Sequence, residues 1–573
     1  MVSIFRRYAA ILAIVTIGYA PDQVFAQAET VPASHRVYLF LKRMEVKGTI
    51  GRYFDAVLPL SRSGVAALLT EADAHRSSLT AAEMGSLDDF RSEFRLEITG
   101  GINGVHSIID PGMEGVSSGI GGMFSGAEQY LYAYRDSTLS FFVNGLLTLD
   151  SRRLSGDAGE HEAATFLQFG GRIRGTLLGH LGYYLQGTNA QFWGSRDLLA
   201  RDPQISQAYT LGTLDAQNFD FVDGYVRYEA QPVSIQVGRE RLLWGTGYDQ
   251  QLVLSDNPRV FDFIRADAQY RSLKYTFLHA WLLGKRSSLT FTLPSDTSAV
   301  FVEPVVADKY IAAHRLEFSF SSVVDVGFQE MVVYSNRSPD LAYLNPLTVI
   351  ESAQRSRGER DNVMWAFDVQ TRFLRGVQFT GSLLFDDLHF AQFFDDFWYN
   401  RYGYQAGVFV TDPLFLENLS LVAEYTRIEP YVFSHNRARE NDYGSLGAIL
   451  GPRIGPNADS WYVRADYSPQ WNLRFSASVQ FTRMGENEVD STGHLIRNVG
   501  GDILQPHRDS DPATRTFLDG ILVRTQSVHV RASWEVLQQV WVEGEYRGEF
   551  VRRDGPSGTL SEHTIIVSVR TEL

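Results

Sequence analysis

The sequence predicts an all-β transmembrane barrel of antiparallel strands, about 16–18 in number, with a small N-terminal helical bundle. Three observations lead to this prediction. A secretory leader begins the chain, an alternation of apolar and polar residues runs from residue 127 to the end, and no stretch after the leader has ~18 consecutive apolar residues. If the mature chain spans a membrane, it therefore does so with strands, because only helices and closed barrels satisfy every backbone hydrogen bond in lipid.

Residues 1–26 have the three parts of a secretory signal peptide. Arg6 and Arg7 precede the apolar run 8–20, and residues 24–26 (Val-Phe-Ala) resemble a small-x-small cleavage site. An uncleaved anchor helix is the alternative, but the run is short for a span of about 20 residues. We therefore predict cleavage after residue 26.

Charge and composition narrow the classes of function. Cleavage removes Arg6, Arg7 and Asp22, so the net charge changes from −15 to −15 − 1 = −16. Such an acidic exported chain is a poor candidate for binding nucleic acid. The chain has no cysteine, it lacks an H-E-x-x-H motif, and its 13 histidines show no ligand spacing. We expect neither an enzyme nor a bound cofactor or metal.

Residues 27–98 have helical periodicity and are predicted to form a periplasmic helical bundle. Apolar residues recur at three- and four-residue spacing at Val37, Phe40, Leu41 and Met44. Ser61 is the expected N-cap of a second helix, and Thr80 with Glu83 forms the T-x-x-E capping box of a third. A bundle this small is expected to pack against something larger.

The pattern changes after this bundle. Residues 99–126 are rich in Gly and Ser without a clear period, so we interpret them as a connector. Residues 127–573 then alternate with a period of two, as in 473–482, where apolar residues alternate with arginine, serine, glutamine and threonine. Such segments of about 10 residues are typical of transmembrane barrel strands. At roughly 25 residues per strand and connection, the 447 residues of this region (573 − 126) give about 18 strands.

The stretch Gly238–Ile264 interrupts the alternation with charges and a W-G-T-G turn. Trp244 could offer an aromatic platform to a sugar ring, but we favour a strand-end turn that anchors a loop folded into the barrel. Arg239, Glu240 and Arg241 are expected to line the lumen, where they either bind glycan groups or form a bracing ion-pair ladder.

Further candidates for this lumen network lie on later predicted strands, at Arg315, Glu317 and Glu330. Asp386 and Asp387 lie among aromatic residues, close to a second acidic pair at residues 395–396. These carboxylates could hold Ca²⁺ or hydrolyse a glycosidic bond, and the aromatic rings could stack on sugars. We favour a polar loop flanked by an interfacial aromatic girdle.

Three blocks of the sequence resemble the Wzi-type capsule-assembly outer-membrane proteins. The first is VYLFLKRMEVKGTIGRYFDAVLPLSRSGVAALL, and the second is GRERLLWGTGYDQQLVLSDNPRVFDFI. The third runs from His314 to Asp387 through GFQEMVVYSNRSPDLAYLNPL. This third block is the most specific, with its Tyr343-x-Asn345-Pro346 followed by an Asp-Asn pair and a later Asp-Asp.

The resemblance implies an outer-membrane barrel of about 18 strands with a periplasmic helical bundle. It implies lectin-like binding of surface polysaccharide in capsule or exopolysaccharide assembly or attachment. The expected partners are outer-membrane lipid, capsular or exopolysaccharide, and the barrel-insertion machinery. No family binding residue is carried over to a position of this chain. A porin-like channel for sugars or anionic solutes is the alternative.

Overall fold

The computed structural model describes residues 27–109, 127–157, 161–195, 198, 218–293, 296–356, 358, 361–387, 395–435, 439–555 and 558–573. Within these ranges, side chains are described except for residues 218–220 and 285–305. The predicted signal peptide and residues 110–126 of the predicted connector lie outside the described residues.

Eighteen long antiparallel strands form a closed barrel. They are β1 Leu139–Gly156, β2 His161–Leu177, β3 Leu181–Gly194, β4 Asn218–Ala230, β5 Val233–Glu240, β6 Phe261–Tyr270, β7 Leu273–Leu293, β8 Asp296–Phe320, β9 Val324–Ser335, β10 Asn362–Leu374, β11 Val377–Asp387, β12 Arg401–Thr411, β13 Leu419–Ile428, β14 Ala458–Gln470, β15 Leu473–Glu486, β16 Ile521–Leu537, β17 Val540–Arg553 and β18 Thr559–Glu572.

The barrel closes where β18 pairs with β1, with Ile565 opposite Arg153. A short strand, Tyr132–Arg135, pairs with the beginning of β1 and adds no further full-length strand. The prediction of an all-β antiparallel barrel of 16–18 strands is confirmed.

Alternation separates an apolar outer face from a polar lumen. On β5, Val233, Ile235 and Val237 are 40–53% exposed, whereas the intervening Ser234 and Gln236 are buried. Side chains of a strand point to opposite faces in turn, so one strand can contact lipid and lumen at once.

The helices lie mainly near the N-terminus. They are α1 Val37–Lys47, α2 Arg62–Ala74, α3 Ala81–Glu93, α4 Arg95–Thr99, α5 Leu341–Leu344 and α6 Ile350–Ser356, with 3₁₀ turns at Arg76–Ser78, Pro413–Phe415 and Arg439–Asn441. Ser61 caps α2, and Thr80 with Glu83 forms the predicted capping box of α3. Among the described residues, no helix is both long and apolar enough to cross a membrane.

Short two- and three-residue strands complete the structure. They pair Val57–Leu58 with Leu243–Trp244, His106–Ser107 with Gln129–Tyr130, Gly444–Ser445 with Ala448–Ile449, and Glu488–Val489 with Leu495–Arg497.

One end of the barrel has short turns, such as residues 271–272 between β6 and β7, and the other has long loops, such as residues 429–457 between β13 and β14. We call these the short-turn end and the long-loop end. The N-terminal helices lie at the short-turn end. A Cβ added to Gly85 of α3 would lie 2.8 Å from the Cβ of Trp471 in the β14–β15 turn, so only glycine permits this approach.

Helix α1 enters the lumen from the short-turn end. Its Val46 packs against Phe409 and Val422 on the inner face of the wall. Arg43 donates to the Leu419 carbonyl at 2.8 Å and forms an ion pair with Asp412 in the β12–β13 turn. The helical bundle is therefore part of the barrel's interior packing.

The loop between β5 and β6 enters the lumen from the long-loop end. Trp244 donates its backbone N–H to the Leu254 carbonyl at 2.8 Å, and it is the register partner of Val57 in the segment between α1 and α2. At the tip of the loop, the backbone N–H of Tyr248 donates to the Glu424 carboxylate at 2.7 Å. The structures that enter from the two ends thus meet at the Val57–Trp244 pair.

Candidate functional site

A polar chamber remains in the part of the lumen that these two structures leave free. Its volume is about 1290 Å³, and its walls come mainly from β1–β5 and β14–β18 together with the N-terminal segment. Eleven arginines and nine Asp or Glu residues line it. Such a lining favours polar or charged contents over apolar ones.

Ion pairs along the wall hold most of the chamber's guanidinium groups. Arg172 pairs with Glu572 at 2.9 Å across the β1–β18 closure, and Arg531 pairs with Glu543 at 2.6 Å. Arg474 differs, because it makes no ion pair or hydrogen bond with a residue that the structure describes. The chamber thus contains a bracing ladder and at least one guanidinium group open to a ligand.

The pKa values of two carboxyl groups at the base of the chamber are shifted in opposite directions. Burial raises the pKa of Glu128 well above its usual value, and the nearby Glu93 and Asp89 raise it further. Burial also acts to raise the pKa of Glu93, but His35, Arg62 and Arg36 outweigh it and the pKa is lowered. Glu128 therefore holds its proton up to a higher pH than Glu93 does.

The structure divides the predicted Arg239-Glu240-Arg241 group between two faces. Glu240 points inward and accepts a hydrogen bond from the Thr30 hydroxyl at 3.1 Å. Arg239 instead lies on the outer face, where its guanidinium binds both carboxylate oxygens of Asp262 at 2.9 and 2.8 Å. Alternation dictates this, because Arg239 continues the outward row of Val237. The prediction that all three face the lumen is therefore corrected for Arg239.

Arg241 follows the end of β5 and donates to the carbonyl of Asp256 at 2.5 Å within the inward loop. Glu240 and Arg241 border the chamber. Their glycan-binding role stays a prediction.

Arg315 and Glu317 lie inside the wall, as the lumen network predicts. The Arg315 guanidinium binds the Asp368 carboxylate at 2.6 and 2.8 Å, and it approaches Glu317 at 3.3 Å. Glu330 is not part of this network. It shares the outward row of Phe328, which is 41% exposed, and its carboxylate accepts the backbone N–H groups that begin α6.

Trp244 is 1% exposed and packs among the inward-folded loops. Its indole is out of reach of a ligand at the surface. This is the arrangement that the loop-anchoring interpretation predicts.

The carboxylates of Asp386 and Asp387 both contact the buried guanidinium group of Arg401. Arg401 lies 3.6 Å from Asp386 and forms a closer ion pair with Asp387. Asp386 also accepts the backbone N–H of Phe433 at 2.7 Å, which ties a long loop to the wall. Within the described part of the chain, no group of three His, Asp or Glu side chains has the arrangement of a metal site.

Aromatic residues gather at the long-loop end. Trp398 stacks on His507 with ring centroids 3.7 Å apart and planes 5° from parallel. Tyr431 meets both rings edge-on. Nearby, Arg508 binds Asp511, which also accepts from Asn498 at 2.9 Å.

The cluster joins three loops, since Trp398, Tyr431 and His507 lie in the β11–β12, β13–β14 and β15–β16 loops. The backbone N–H of Trp398 also donates to the Ala513 carbonyl at 3.0 Å. The cluster's Trp398 and His507 rings are half-buried and Tyr431 is buried, and the half-buried Arg508 beside them can hydrogen-bond hydroxyl groups. The sequence indicated the aromatic stretch around Trp398, but nothing in the pattern pointed to His507, which is more than 100 residues away.

Comparison with known proteins gives three findings. The family model described as "Capsule assembly protein Wzi" matches residues 132–550. A search of curated protein sequences found no match. Among solved structures, Wzi of Escherichia coli, an outer-membrane protein involved in group 1 capsule assembly and a carbohydrate-binding β-barrel, is similar with a TM-score of 0.52 and 12% identity, covering 94% of this chain and 99% of that one.

Two Pseudomonas aeruginosa proteins are similar at lower scores. They are OccK3, with a TM-score of 0.39 and 12% identity, and OpdK with vanillate, with a TM-score of 0.42 and 10% identity. Each match covers 75% of this chain, and 96% and 99% of those chains respectively. The family model matches most of the barrel, so this chain belongs to the Wzi capsule assembly protein family.

Proposed function

We propose that this protein binds polysaccharide at the cell surface and supports the assembly or attachment of a capsule or exopolysaccharide layer. Family membership supports the proposal, and so does the carbohydrate binding of the similar Escherichia coli protein. The observation that carries it is the partly filled lumen, because the segment that follows α1 and the β5–β6 loop meet at the Val57–Trp244 pair inside the barrel. A lumen filled in this way is better suited to binding a glycan than to the diffusion of solutes through the barrel.

As a member of this family with a closed antiparallel barrel, the protein is an outer-membrane protein. We infer that the short-turn end and the N-terminal helices face the periplasm, since outer-membrane barrels have short periplasmic turns and longer extracellular loops. Residues 1–26 then act as the signal peptide, residues 27–98 as the periplasmic bundle, 99–126 as the connector and 127–573 as the membrane barrel. Lipid and the barrel-insertion machinery are the partners this arrangement requires.

The proposed contact surface for the glycan is the Trp398–His507 cluster at the long-loop end. Ligand sites commonly combine aromatic surfaces with a few placed polar groups, and Arg508, whose side chain is 35% exposed, supplies such a group here. We propose no catalytic role for Asp386 and Asp387, because both carboxylates form ion pairs with Arg401.

A strain without this gene tests the proposal. We expect its polysaccharide to be shed into the medium and the full-length chain to restore retention. The Trp398→Ala variant should restore it poorly, whereas Trp461→Ala should restore it fully, because Trp461 is a 57% exposed residue on the outer face. A deletion strain with a normal surface layer would contradict the proposal.

The porin-like alternative is favoured by one observation, the charged chamber of about 1290 Å³. Single-channel recording in planar bilayers distinguishes the two functions. We expect little or no steady conductance from the purified protein. A large, stable conductance would favour the porin-like channel.

A further inference from the structure

The loop between β9 and β10 turns down over the outer face of the barrel wall. We call residues 336–356, which include α5 and α6, the external segment. Its Tyr343 and Ile350 are fully buried against Tyr310, Val332 and Tyr334 of β8 and β9. Those strand residues share the outward rows of Leu316 and Phe328, which are 44% and 41% exposed farther down the same strands. The segment therefore covers the outside of the barrel.

The depth of the segment follows from the strand register. Asp262, Trp281, Tyr310 and Tyr334 are successive register partners and form a row around the outer face. Aromatic rows of this kind mark the membrane–water interface of transmembrane barrels.

The external segment begins just beyond Tyr334, and its Pro346 carbonyl accepts a hydrogen bond from the Tyr275 hydroxyl. Tyr275 lies 281 − 275 = 6 residues below Trp281 on β7. That is about 20 Å along the strand and about 15 Å along the membrane normal at a tilt near 40°. The segment therefore reaches well into an apolar band about 25 Å tall.

Apolar side chains of the segment point away from the barrel. Leu341, Leu347 and Val349 are 80%, 86% and 61% exposed. Their surface continues the exposed apolar wall around Leu316 and Phe328. A cluster of large apolar side chains at such exposure is unfavourable in water and favourable against acyl chains.

The backbone of the segment is also suited to lipid, where unpaired N–H groups are costly. Asp340 accepts the N–H of Ala342 at 3.0 Å, and Asn345 accepts the N–H of Leu347 at 3.1 Å. Glu330, on the wall beneath, accepts the N–H groups of Ile350 and Glu351 at 2.9 and 2.7 Å.

Side chains thus accept four backbone N–H groups of the segment. Within the Tyr343-x-Asn345-Pro346 stretch, Asn345 provides one of these contacts. The Tyr343 hydroxyl adds a hydrogen bond to Asp361 at 2.8 Å.

We propose that the external segment is a re-entrant element that enters the membrane from its outer side, and that Leu341, Leu347 and Val349 bind lipid acyl chains. The element anchors the long-loop end to the membrane from outside the barrel. This inference does not depend on glycan binding.

Nitroxide labelling tests the proposal on the full-length protein in phospholipid vesicles. Because the chain has no cysteine, Leu347→Cys provides a single labelling site. Leu316→Cys is the lipid reference, since Leu316 is the register partner of Tyr275 on the outer wall. Ile496→Cys is the water reference, since Ile496 is 62% exposed in the β15–β16 loop.

We expect the label at position 347 to match position 316 in its collisions with oxygen and to collide with a water-soluble nickel chelate several-fold less than the label at 496. Nickel access at 347 equal to that at 496 would overturn the proposal. Val349→Cys gives an independent second site, and resistance of the folded barrel to cold detergent confirms that each labelled protein is intact.

Discussion

At the scale of single residues, charged groups in the wall act as braces. Arg315 is almost fully buried, and it is held by two hydrogen bonds to Asp368 and a contact with Glu317. Burial of such a network is stabilising only while every charge keeps its partner, because an uncompensated buried charge is costly. The same reasoning applies to Arg401 between Asp386 and Asp387.

We predict that Arg315→Met lowers the free energy of unfolding by about 3–5 kcal/mol, because it leaves the buried Asp368 carboxylate without its cation. The matched control is Arg524→Met. Arg524 pairs with Asp554 at 2.6 Å, but both side chains are about half exposed. That variant should change stability by about 0–1 kcal/mol. Urea unfolding of both variants checks the prediction, and equal losses would contradict it.

A second residue-scale prediction concerns pH. Burial raises the pKa of Glu45 in α1 from 4.5 to about 7, although Lys42 and Arg372 act to lower it. Between these values Glu45 holds a proton in the folded protein that it releases in the unfolded chain, so the contribution of Glu45 to stability is largest below pH 4.5 and is lost as the pH rises to about 7. The change amounts to about 3 kcal/mol.

Glu45→Gln should flatten this dependence, because the amide does not titrate. Glu71→Gln, at an exposed position of α2, should leave the dependence unchanged. Unfolding midpoints measured between pH 5 and 8 provide the test. A wild-type stability that rises across this range would refute the assignment.

At the scale of elements, the β5–β6 loop connects the two ends of the barrel. Its sequence is unusual because charged residues and a W-G-T-G turn interrupt a strand. In the structure the turn continues into the lumen, where Trp244 pairs with Val57 and the Tyr248 backbone reaches Glu424. The loop is thus a structural link between the long-loop end and the helical bundle.

We predict that Trp244→Ala costs about 3–5 kcal/mol of stability, because it leaves a cavity among the inward-folded loops. Glycan binding by the folded protein should persist, since the indole is buried. Trp193→Ala removes an indole that is 55% exposed and should be nearly neutral. Chemical unfolding and glycan binding are measured on the same samples. Lost binding with unchanged stability would instead make Trp244 a sugar contact.

At the scale of the whole molecule, the fold class could be predicted because each barrel strand separates lipid from lumen and leaves a period of two in the sequence. Caps such as the Thr80–Glu83 box were also predictable, since they are local. The prediction for Glu330, by contrast, was wrong. Alternation alone cannot tell that the loop after β9 folds back over the outer face, so a carboxylate on that face was assigned to the lumen.

The candidate site was less predictable for a similar reason. Trp398 lies in a recognisable aromatic stretch, but its stacking partner His507 comes from another long loop. Contacts between loops depend on the closed arrangement of the strands and leave no spacing in the sequence. The polar chamber likewise arises from residues on many strands that only closure brings together.

The central claim is that an occluded outer-membrane barrel binds surface polysaccharide through its long-loop end. The most direct measurement is the binding of the purified full-length protein to polysaccharide extracted from the surface of its own source cells. We predict saturable binding that Trp398→Ala weakens strongly and Trp461→Ala leaves unchanged. Absence of saturable binding by the folded wild-type protein would contradict the account.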